Sequence, residues 1–134
     1  MSDEHKRASQ VAFEVWSTGE LEKLDAFVSP HVLHHDPYDP HGAEGLVGMK
    51  LTIEATRGRY PDLRIAVDDQ LAEGDRVATR WTATMTHDGK RITTTGITID
   101  RFERGKIVEA WRSRDMLGLM RQTSAVSARA TDRA

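Results

Sequence analysis

The hydrophobic pattern of this chain changes once, near Asp62, and this change restricts the fold more than any other feature. Before Asp62, apolar residues recur every three or four positions, and after it they alternate with polar ones. The first spacing is typical of helices that bury one face, and the second is typical of strands with one covered face. Helices followed by a run of strands predict the α+β class.

Three helices are predicted before the change. The first has its apolar residues on one stripe: Ala8, Val11, Ala12, Val15 and Trp16. The second is short and ends at Ser29 and Pro30, because a proline disfavours helical geometry in the residue before it. An extended segment over residues 31–35 and a turn-rich loop over 36–42 lead to a third helix over about 42–60.

Four strands and a short helix are predicted after the change. The strands are joined by tight turns and cover residues 63–71, 76–87, 92–103 and 106–114. A curled sheet must cover its inner side, so we expect a cone-shaped, curved antiparallel sheet packed against the three N-terminal helices, with an apolar pocket between them. A last helix is predicted over 116–122. Residues 123–134 have too few apolar side chains to order themselves, and we expect a flexible tail.

The bulk properties of the sequence limit its partners. The 134 residues fit a single domain, which we place at residues 1–122. The 19 Lys and Arg residues are balanced by 21 Asp and Glu residues without a basic stripe, so we expect no nucleic-acid partner. The lack of cysteine excludes disulfides and thiolate metal sites, and it fits a reducing compartment. Because residues 1–10 are polar and no apolar run approaches the length of a membrane span, we expect a cytoplasmic protein that does not contact membranes.

Asp115 is the main catalytic candidate. On the last strand, Ile107, Trp111 and Asp115 share a parity, so Asp115 faces the same side as Trp111 if no bulge intervenes. Apolar neighbours raise the pKa of a carboxyl group, and a raised pKa suits a residue that takes and returns protons near neutral pH. The spacing supports a second interpretation equally well, because Asp115 directly precedes a helix and can cap its N-terminus.

Three histidines lie close together around Asp36 and Asp39: His34, His35 and His41. Imidazole and carboxylate groups together can bind zinc or iron. Adjacent residues of an extended segment point to opposite sides, however, and no HxH or HExxH spacing occurs, so we expect neither a metal nor a cofactor. We expect His35 to donate a hydrogen bond towards the cavity or to a neighbouring carboxylate, while His34 faces solvent.

Large apolar side chains recur on the inward stripes. Core packing accounts for most such residues, but a cavity that they fill incompletely suits a small, hydrophobic and planar ligand. The residues expected to line this cavity are Trp16, Trp81, Met85 and Trp111, with His87 at its rim. The sequence contains no phosphate-binding loop, no GxGxxG and no GxSxG, which disfavours nucleotide binding and hydrolase chemistry at a nucleophile elbow.

Several short motifs occur together in the order typical of one family. They are Trp16-Ser-Thr-Gly19, His35-Asp-Pro37, Tyr60-Pro-Asp62, Thr86-His-Asp-Gly89 and the segment from Gly105 through Trp111 to Asp115. On these residues the chain resembles the SnoaL-like polyketide cyclases over residues 8–122. The last segment is the most specific part of the resemblance.

The resemblance implies a nuclear-transport-factor-like cone fold, a homodimer or homotetramer, and an intramolecular aldol ring closure of a polyketide ester that needs no metal or cofactor. By this likeness, Asp115 occupies the position of the aspartate that removes the proton next to the carbonyl and reprotonates the alkoxide. His35, Trp81 and Trp111 would line the cavity and orient the substrate. Trp16 occupies a pocket position that influences product stereochemistry, where its bulk would narrow the cavity.

The same fold hosts other activities, so three alternatives stay open. An isomerase or dehydratase would use the same proton shuttle with a second acid or a tyrosine, and the sequence offers only Tyr38 and Tyr60. An epoxide hydrolase would need an Asp-Arg-Asp set such as Asp115, Arg114 and Asp100. In that set Arg114 has the wrong parity to meet Asp115. The third alternative is a domain that binds a small molecule without turnover.

Overall fold

In the computed structural model, which describes residues 2–38 and 44–123, helices cover one side of a five-stranded curved sheet. The helices are α1 (Ser2–Thr18), a 3-10 helix (Leu21–Ala26), α2 (Gly45–Arg59) and α3 (Met116–Thr123). The strands are β1 (Val28–His35), β2 (Arg64–Glu73), β3 (Arg76–His87), β4 (Lys90–Glu103) and β5 (Lys106–Arg114). The strand order is β1-β5-β4-β3-β2. The predicted α+β class is confirmed.

Some predicted features fall on parts of the chain outside the described residues. These are His41, Asp39, the first residues of the third predicted helix and the predicted tail beyond Thr123. None of the helices in the described ranges is long and apolar enough to cross a membrane.

The second predicted helix is shorter than expected, and β1 begins earlier. The 3-10 helix ends at Ala26, and Val28 already pairs with Ile107 of β5. The N–H of Ile107 donates a hydrogen bond of 2.8 Å to the carbonyl oxygen of Phe27, so strand pairing overrides the helical spacing of the sequence. Because β1 lies at the edge of the sheet, it tolerates Pro30.

The sheet is mixed rather than entirely antiparallel. Strands β2 to β5 form the predicted antiparallel meander, but β1 runs parallel to β5. Parallel neighbours need a long connection, and α2 together with the first three strands of the meander supplies it. The parallel pair therefore follows from the placement of β1 before α2.

Helix α1 packs its apolar stripe against the inner face of the sheet, which is the face towards the helices. The buried residues of this stripe are Ala8, Ser9, Val11, Ala12, Phe13, Val15 and Trp16. Fully buried Leu24, Ile53 and Ile92 extend the same core. Burying one such side chain contributes about 1.5–3 kcal/mol to the free energy of unfolding. Most of these core residues lie at positions that the helical and strand spacings predict.

A β-bulge in β5 changes the alternation of its side chains. Across the β4–β5 pair, Phe102 lies opposite Ile107, whereas the preceding residue Arg101 lies opposite Glu109. Val108 is therefore an extra residue on β5. An extra residue of this kind reverses the sides to which all later side chains point.

The bulge corrects the expected parity of β5. Ile107 is buried on the inner face, but beyond the bulge Ala110 and Arg112 lie on that face and Trp111 lies on the outer one. The expected parity of Ile107 with Trp111 is wrong because it assumed an uninterrupted strand. No register break lies between Trp111 and Arg114, so the bulge leaves the expected parity of Trp111 with Asp115 unaffected. Arg112, rather than Trp111, faces the helices.

Candidate functional site

A cavity of about 920 Å³ lies between the inner face of the sheet and the helices. Part of its lining is apolar and comes from Phe13, Trp16, Val32, Met49 and Ile107. The polar part includes His34, His35, Asp36, Thr98, Asp100 and Arg112. A space of this size and mixed character is typical of a small-molecule site.

Asp100 is the buried acid of the cavity. Its side chain projects inward from β4, and the residue is only 4 % exposed. The hydroxyl of Ser9, which is fully buried on α1, donates a hydrogen bond of 2.8 Å to Asp100 Oδ2. Burial raises the pKa of Asp100 from 3.8 to about 6, although the Ser9 hydrogen bond and the charge of Arg112 both act to lower it. Asp100 therefore exchanges its proton near neutral pH.

Arg112 brings a positive charge to the same cavity. Its guanidinium carbon lies 5.2 Å from the centre of the Trp16 ring, in a cation–π contact. Its Nη1 atom is 3.9 Å from Oδ2 of Asp36. Arg112 acts electrostatically on both Asp100 and His34, because it lowers the pKa of each. It is therefore placed to favour negative charge that forms within the cavity.

His34 lines the cavity and is also exposed to solvent. Partial burial, followed by the charges of Arg112 and His35, lowers the pKa of His34 from 6.5 to about 4. Its imidazole is therefore neutral at neutral pH. A neutral imidazole offers one N–H donor and one nitrogen acceptor to a ligand.

Asp115 lies outside this cavity. It is exposed, and its Oδ1 accepts a hydrogen bond of 2.8 Å from the backbone N–H of Gly118 in the first turn of α3. This contact is the one made by an N-cap residue, so the second interpretation of Asp115 has direct structural support. The resemblance implies a catalytic role for Asp115. This role stays a prediction, because Asp115 does not line the cavity.

His35 and Trp111 contact each other on the outer side of the sheet. Their rings stack with centres 5.4 Å apart, and Nε2 of His35 lies 2.7 Å from Oε2 of Glu109. His35 thus meets a neighbouring carboxylate, as one part of the prediction has it, while His34 interacts with the charged groups of the cavity. Both histidines contribute to the lining of the cavity, and His34 is exposed to solvent as predicted. A catalytic role for His35 stays a prediction.

The other predicted cavity residues divide into lining and supporting positions. Trp16 lines the cavity, whereas Trp81 and Met85 are buried in the core behind it. His87 lies at the end of β3, where its Nδ1 is 3.5 Å from the hydroxyl of Tyr60 and where it does not line the cavity. Substrate contacts by Trp81, Met85, His87 and Trp111 stay predictions that the cavity lining does not support.

The sequence carries a signal for Asp100 that lies outside the family motifs. On β4 it has the parity of Ile92, Thr98 and Phe102, all of which are buried. A carboxylate on an otherwise apolar strand face is costly unless it is partnered or functional, and this cost distinguishes Asp100 from exposed acids. Arg112 offered no comparable signal, because its inward position depends on the bulge at Val108.

Metal-binding geometry is absent from the described part of the chain. Within residues 2–38 and 44–123, no three His, Asp or Glu side chains are grouped so that they could hold a metal ion. The polar groups of the cavity can instead supply acid/base chemistry and electrostatic stabilisation from Asp100, His34 and Arg112.

Comparison with known proteins gives one family. The family model of SnoaL-like polyketide cyclases matches residues 6–123, in agreement with the resemblance over residues 8–122. No curated protein sequence matches the chain.

Solved structures agree with the family. A candidate polyketide cyclase from Acidithiobacillus ferrooxidans is 31 % identical, with a TM-score of 0.78 over 91 % of this chain and 95 % of that one. A candidate polyketide cyclase from Bacillus cereus is 32 % identical, with a TM-score of 0.80 over 89 % of this chain and 79 % of that one. AclR from Streptomyces galilaeus, a candidate hydroxylase, is 27 % identical, with a TM-score of 0.78 over 91 % and 96 % of the two chains. These likenesses and the family match show that the chain belongs to the SnoaL-like polyketide cyclase family.

Proposed function

We propose that this protein is an enzyme that closes a ring by an intramolecular aldol reaction on a small hydrophobic carbonyl compound, with Asp100 as the proton-transfer residue. The observation that carries the proposal is Asp100 itself, a buried acid that lines the cavity and has a pKa of about 6. At pH 7 most of its population is the carboxylate, which is the form that acts as a base.

The reaction needs one proton to leave and to return. The Asp100 carboxylate takes a proton from the carbon next to a carbonyl group, which gives an enolate and a neutral carboxylic acid. The enolate carbon then forms a bond to a second carbonyl carbon of the same molecule, and the electrons of that carbonyl move to its oxygen. The resulting alkoxide takes the proton back from Asp100, so the product is an isomer of the substrate.

Arg112 and His34 fit the charge that this reaction creates. The enolate and the alkoxide are both anionic, and Arg112 provides a fixed positive charge in the cavity. His34 is neutral at pH 7, so its N–H donates a hydrogen bond without competing for the proton of Asp100. The apolar lining around Trp16 and Phe13 suits a substrate with planar rings.

The test measures proton transfer directly. In D₂O at pD 7, the wild-type protein should accelerate deuterium incorporation next to the carbonyl of 2-tetralone, followed by ¹H NMR. Asp100→Asn should abolish this acceleration, because an amide cannot accept the proton at this pH. Asp115→Asn is the matched comparison and should retain it. Exchange in Asp100→Asn at the wild-type rate, or no acceleration by the wild type, would contradict the proposal.

Epoxide hydrolysis is a second candidate that one observation favours. The set considered from the sequence, Asp115, Arg114 and Asp100, does not meet, but Asp36 and Asp100 both lie in the cavity with Arg112. An arginine with two aspartates can hold a water molecule, with one carboxylate taking its proton as it attacks the epoxide carbon. The opened oxygen then receives a proton from the second, protonated carboxyl group.

The two candidates give different products. If the protein hydrolyses epoxides, incubation with styrene oxide in ¹⁸O-labelled water should give the labelled diol faster than the same reaction without protein. Asp36→Asn should remove this activity and leave the deuterium exchange of 2-tetralone in place. Diol formation by the wild type at the uncatalysed rate would refute the second candidate alone.

A further inference from the structure

Trp81 and Thr98 form a hydrogen-bonded pair beneath the cavity. The indole Nε1–H of Trp81 on β3 donates a hydrogen bond of 3.0 Å to Oγ1 of Thr98 on β4. Both residues are buried, at 5 % exposure each, but only Thr98 lines the cavity. The pair therefore connects a core tryptophan with the cavity wall.

This contact determines what the Thr98 hydroxyl can still do. A hydroxyl has one proton to donate and accepts through its lone pairs, and the indole N–H is a donor only. The contact with Trp81 thus occupies an acceptor site of Oγ1 and leaves the hydroxyl proton unused. Within residues 2–38 and 44–123, the hydroxyl takes part in one side-chain hydrogen bond, the one that it accepts from Trp81. A buried donor without an acceptor is unfavourable unless a ligand supplies one.

Thr98 also lies between the groups of the proposed reaction. It has the same parity as Asp100 on β4, two residues away, and it is the direct partner of Arg112 across the β4–β5 pair. A substrate oxygen bound by Thr98 would therefore lie near both the proton-transfer residue and the positive charge. This is the placement that an enolate oxygen requires.

We propose that the Thr98 hydroxyl binds the reacting carbonyl oxygen of the substrate, and that Trp81 is a positioning residue that holds this hydroxyl with its proton towards the cavity. The proposal deepens the proposed function and rests on it in one respect, because it takes a carbonyl compound as the ligand. It gives Trp81 a role that does not require contact with the substrate.

The test compares two ligands that differ in one acceptor atom. 2-Acetylnaphthalene carries a carbonyl oxygen, and 2-isopropenylnaphthalene has a methylene group in its place with nearly the same shape. Affinities are measured at pH 7 by isothermal titration or ligand fluorescence. Thr98→Val should weaken binding of the ketone about fivefold, the effect of one lost neutral hydrogen bond, and should leave binding of the hydrocarbon unchanged.

Three further variants keep the test interpretable. Thr98→Ser retains the hydroxyl and should retain the affinity for the ketone. Trp81→Phe removes the indole N–H and should weaken binding of the ketone more than that of the hydrocarbon. Thr94→Val is the matched control, because Thr94 is a buried threonine on the same face of β4 that does not line the cavity. It should change neither affinity.

The outcomes separate this inference from the proposed function. The inference would be overturned if Thr98→Val reduced the affinities for both ligands equally or reduced neither. It would also be overturned if the wild type failed to bind the ketone. Binding is measured without turnover, so unchanged deuterium exchange in Asp100→Asn would refute the proposed function and leave the selectivity of Thr98 for the ketone intact.

Discussion

Ser9 on α1 donates a hydrogen bond of 2.8 Å to Asp100 on β4, although 91 positions separate the two residues in the sequence. The contact is buried, so water cannot replace it. It occupies Oδ2 of the carboxyl group, and Oδ1 has no hydrogen-bond partner among the described residues. Helix α1 thereby orients the acid, and Oδ1 is the oxygen available to a substrate.

Removal of the Ser9 hydroxyl should raise the pKa of Asp100 above about 6. The hydroxyl stabilises the charged carboxylate, and without it only the charge of Arg112 opposes the effect of burial. We expect Ser9→Ala to move the acidic limb of the pH–rate profile to higher pH. The pKa itself is measured by ¹³C NMR of labelled aspartate. Ser17→Ala, which removes a serine hydroxyl elsewhere on α1, is the control, and equal titration of Asp100 in both variants would contradict the prediction.

Asp100→Asn should stabilise the fold at high pH while removing activity. The folded pKa of Asp100 is raised from 3.8 to about 6, so between these values the unfolded chain releases the proton first and stability falls as pH rises. Above pH 6 the full penalty is about 3 kcal/mol in the free energy of unfolding, and an asparagine does not incur it.

Urea unfolding at pH 3.5 and pH 8 measures this effect. The variant and the wild type should be similarly stable at pH 3.5, and the variant should be more stable at pH 8. Asp69→Asn, at an exposed position on β2, should show no such difference. A variant that is less stable than the wild type at pH 8 would be inconsistent with an ionised, desolvated carboxylate at Asp100.

Substitutions at Asp115 separate capping from catalysis. Asp115→Ala should lower the free energy of unfolding by about 1 kcal/mol, because it removes the acceptor for the Gly118 N–H. Asp115→Asn retains an acceptor and should keep both stability and turnover. Thermal unfolding and deuterium exchange are the measurements. Lost exchange in Asp115→Asn with an unchanged Tm would instead support the catalytic role that the family resemblance implies.

Gly96 leaves the space that the Trp81 ring occupies. The two residues are directly opposite each other across the β3–β4 pair, and a Cβ at position 96 would overlap the indole and lie 2.8 Å from the carbonyl oxygen of Ser113. We expect Gly96→Ala to reduce the free energy of unfolding by about 1–3 kcal/mol through overpacking. Gly58→Ala on α2, where nothing lies within 4 Å of the new Cβ, should be neutral or stabilising. Chemical denaturation followed by tryptophan fluorescence tests both, and similar effects of the two variants would contradict the packing argument.

The outer face of the sheet suits a second copy of the chain. Paired apolar residues form one row across β2 to β5, namely Leu71, Ala78, Ile99 and Trp111, and His35 of β1 continues it. Ile97 beside this row is 48 % exposed, and Leu71 is 71 % exposed. The same face carries charges of both signs, including Arg76 and Glu109, which a twofold axis can bring together.

We therefore expect a homodimer through this face, which is also compatible with a homotetramer built from two such pairs. Ile97→Glu should shift the protein towards the monomer in size-exclusion chromatography with light scattering. Leu51→Glu, at an exposed leucine on α2, should not do so. A monomeric wild type at all concentrations would contradict this prediction.

The local features of the fold could be read from the sequence because they depend on near neighbours. The stripe of α1 from Ala8 to Trp16 and the alternation along β3 both appear in the structure at the predicted positions. The start of β1 could not be read in this way, since Val28 continues a helical spacing and becomes extended through its pairing with Ile107.

The sequence by itself determined the element order, the α+β class and the inward face of α1 and β3, because short-range periodicity encodes these features. Only the tertiary structure placed Arg112 in the cavity and Asp115 outside it. One extra residue, Val108, reverses the sides of β5, so that Arg112 faces the helices and Trp111 does not. The position of a bulge depends on how one strand is registered against its neighbour, and alternation within a single strand contains no information about that register. The acid of the cavity is therefore Asp100, which α1 and β4 bury together, whereas Asp115 caps α3.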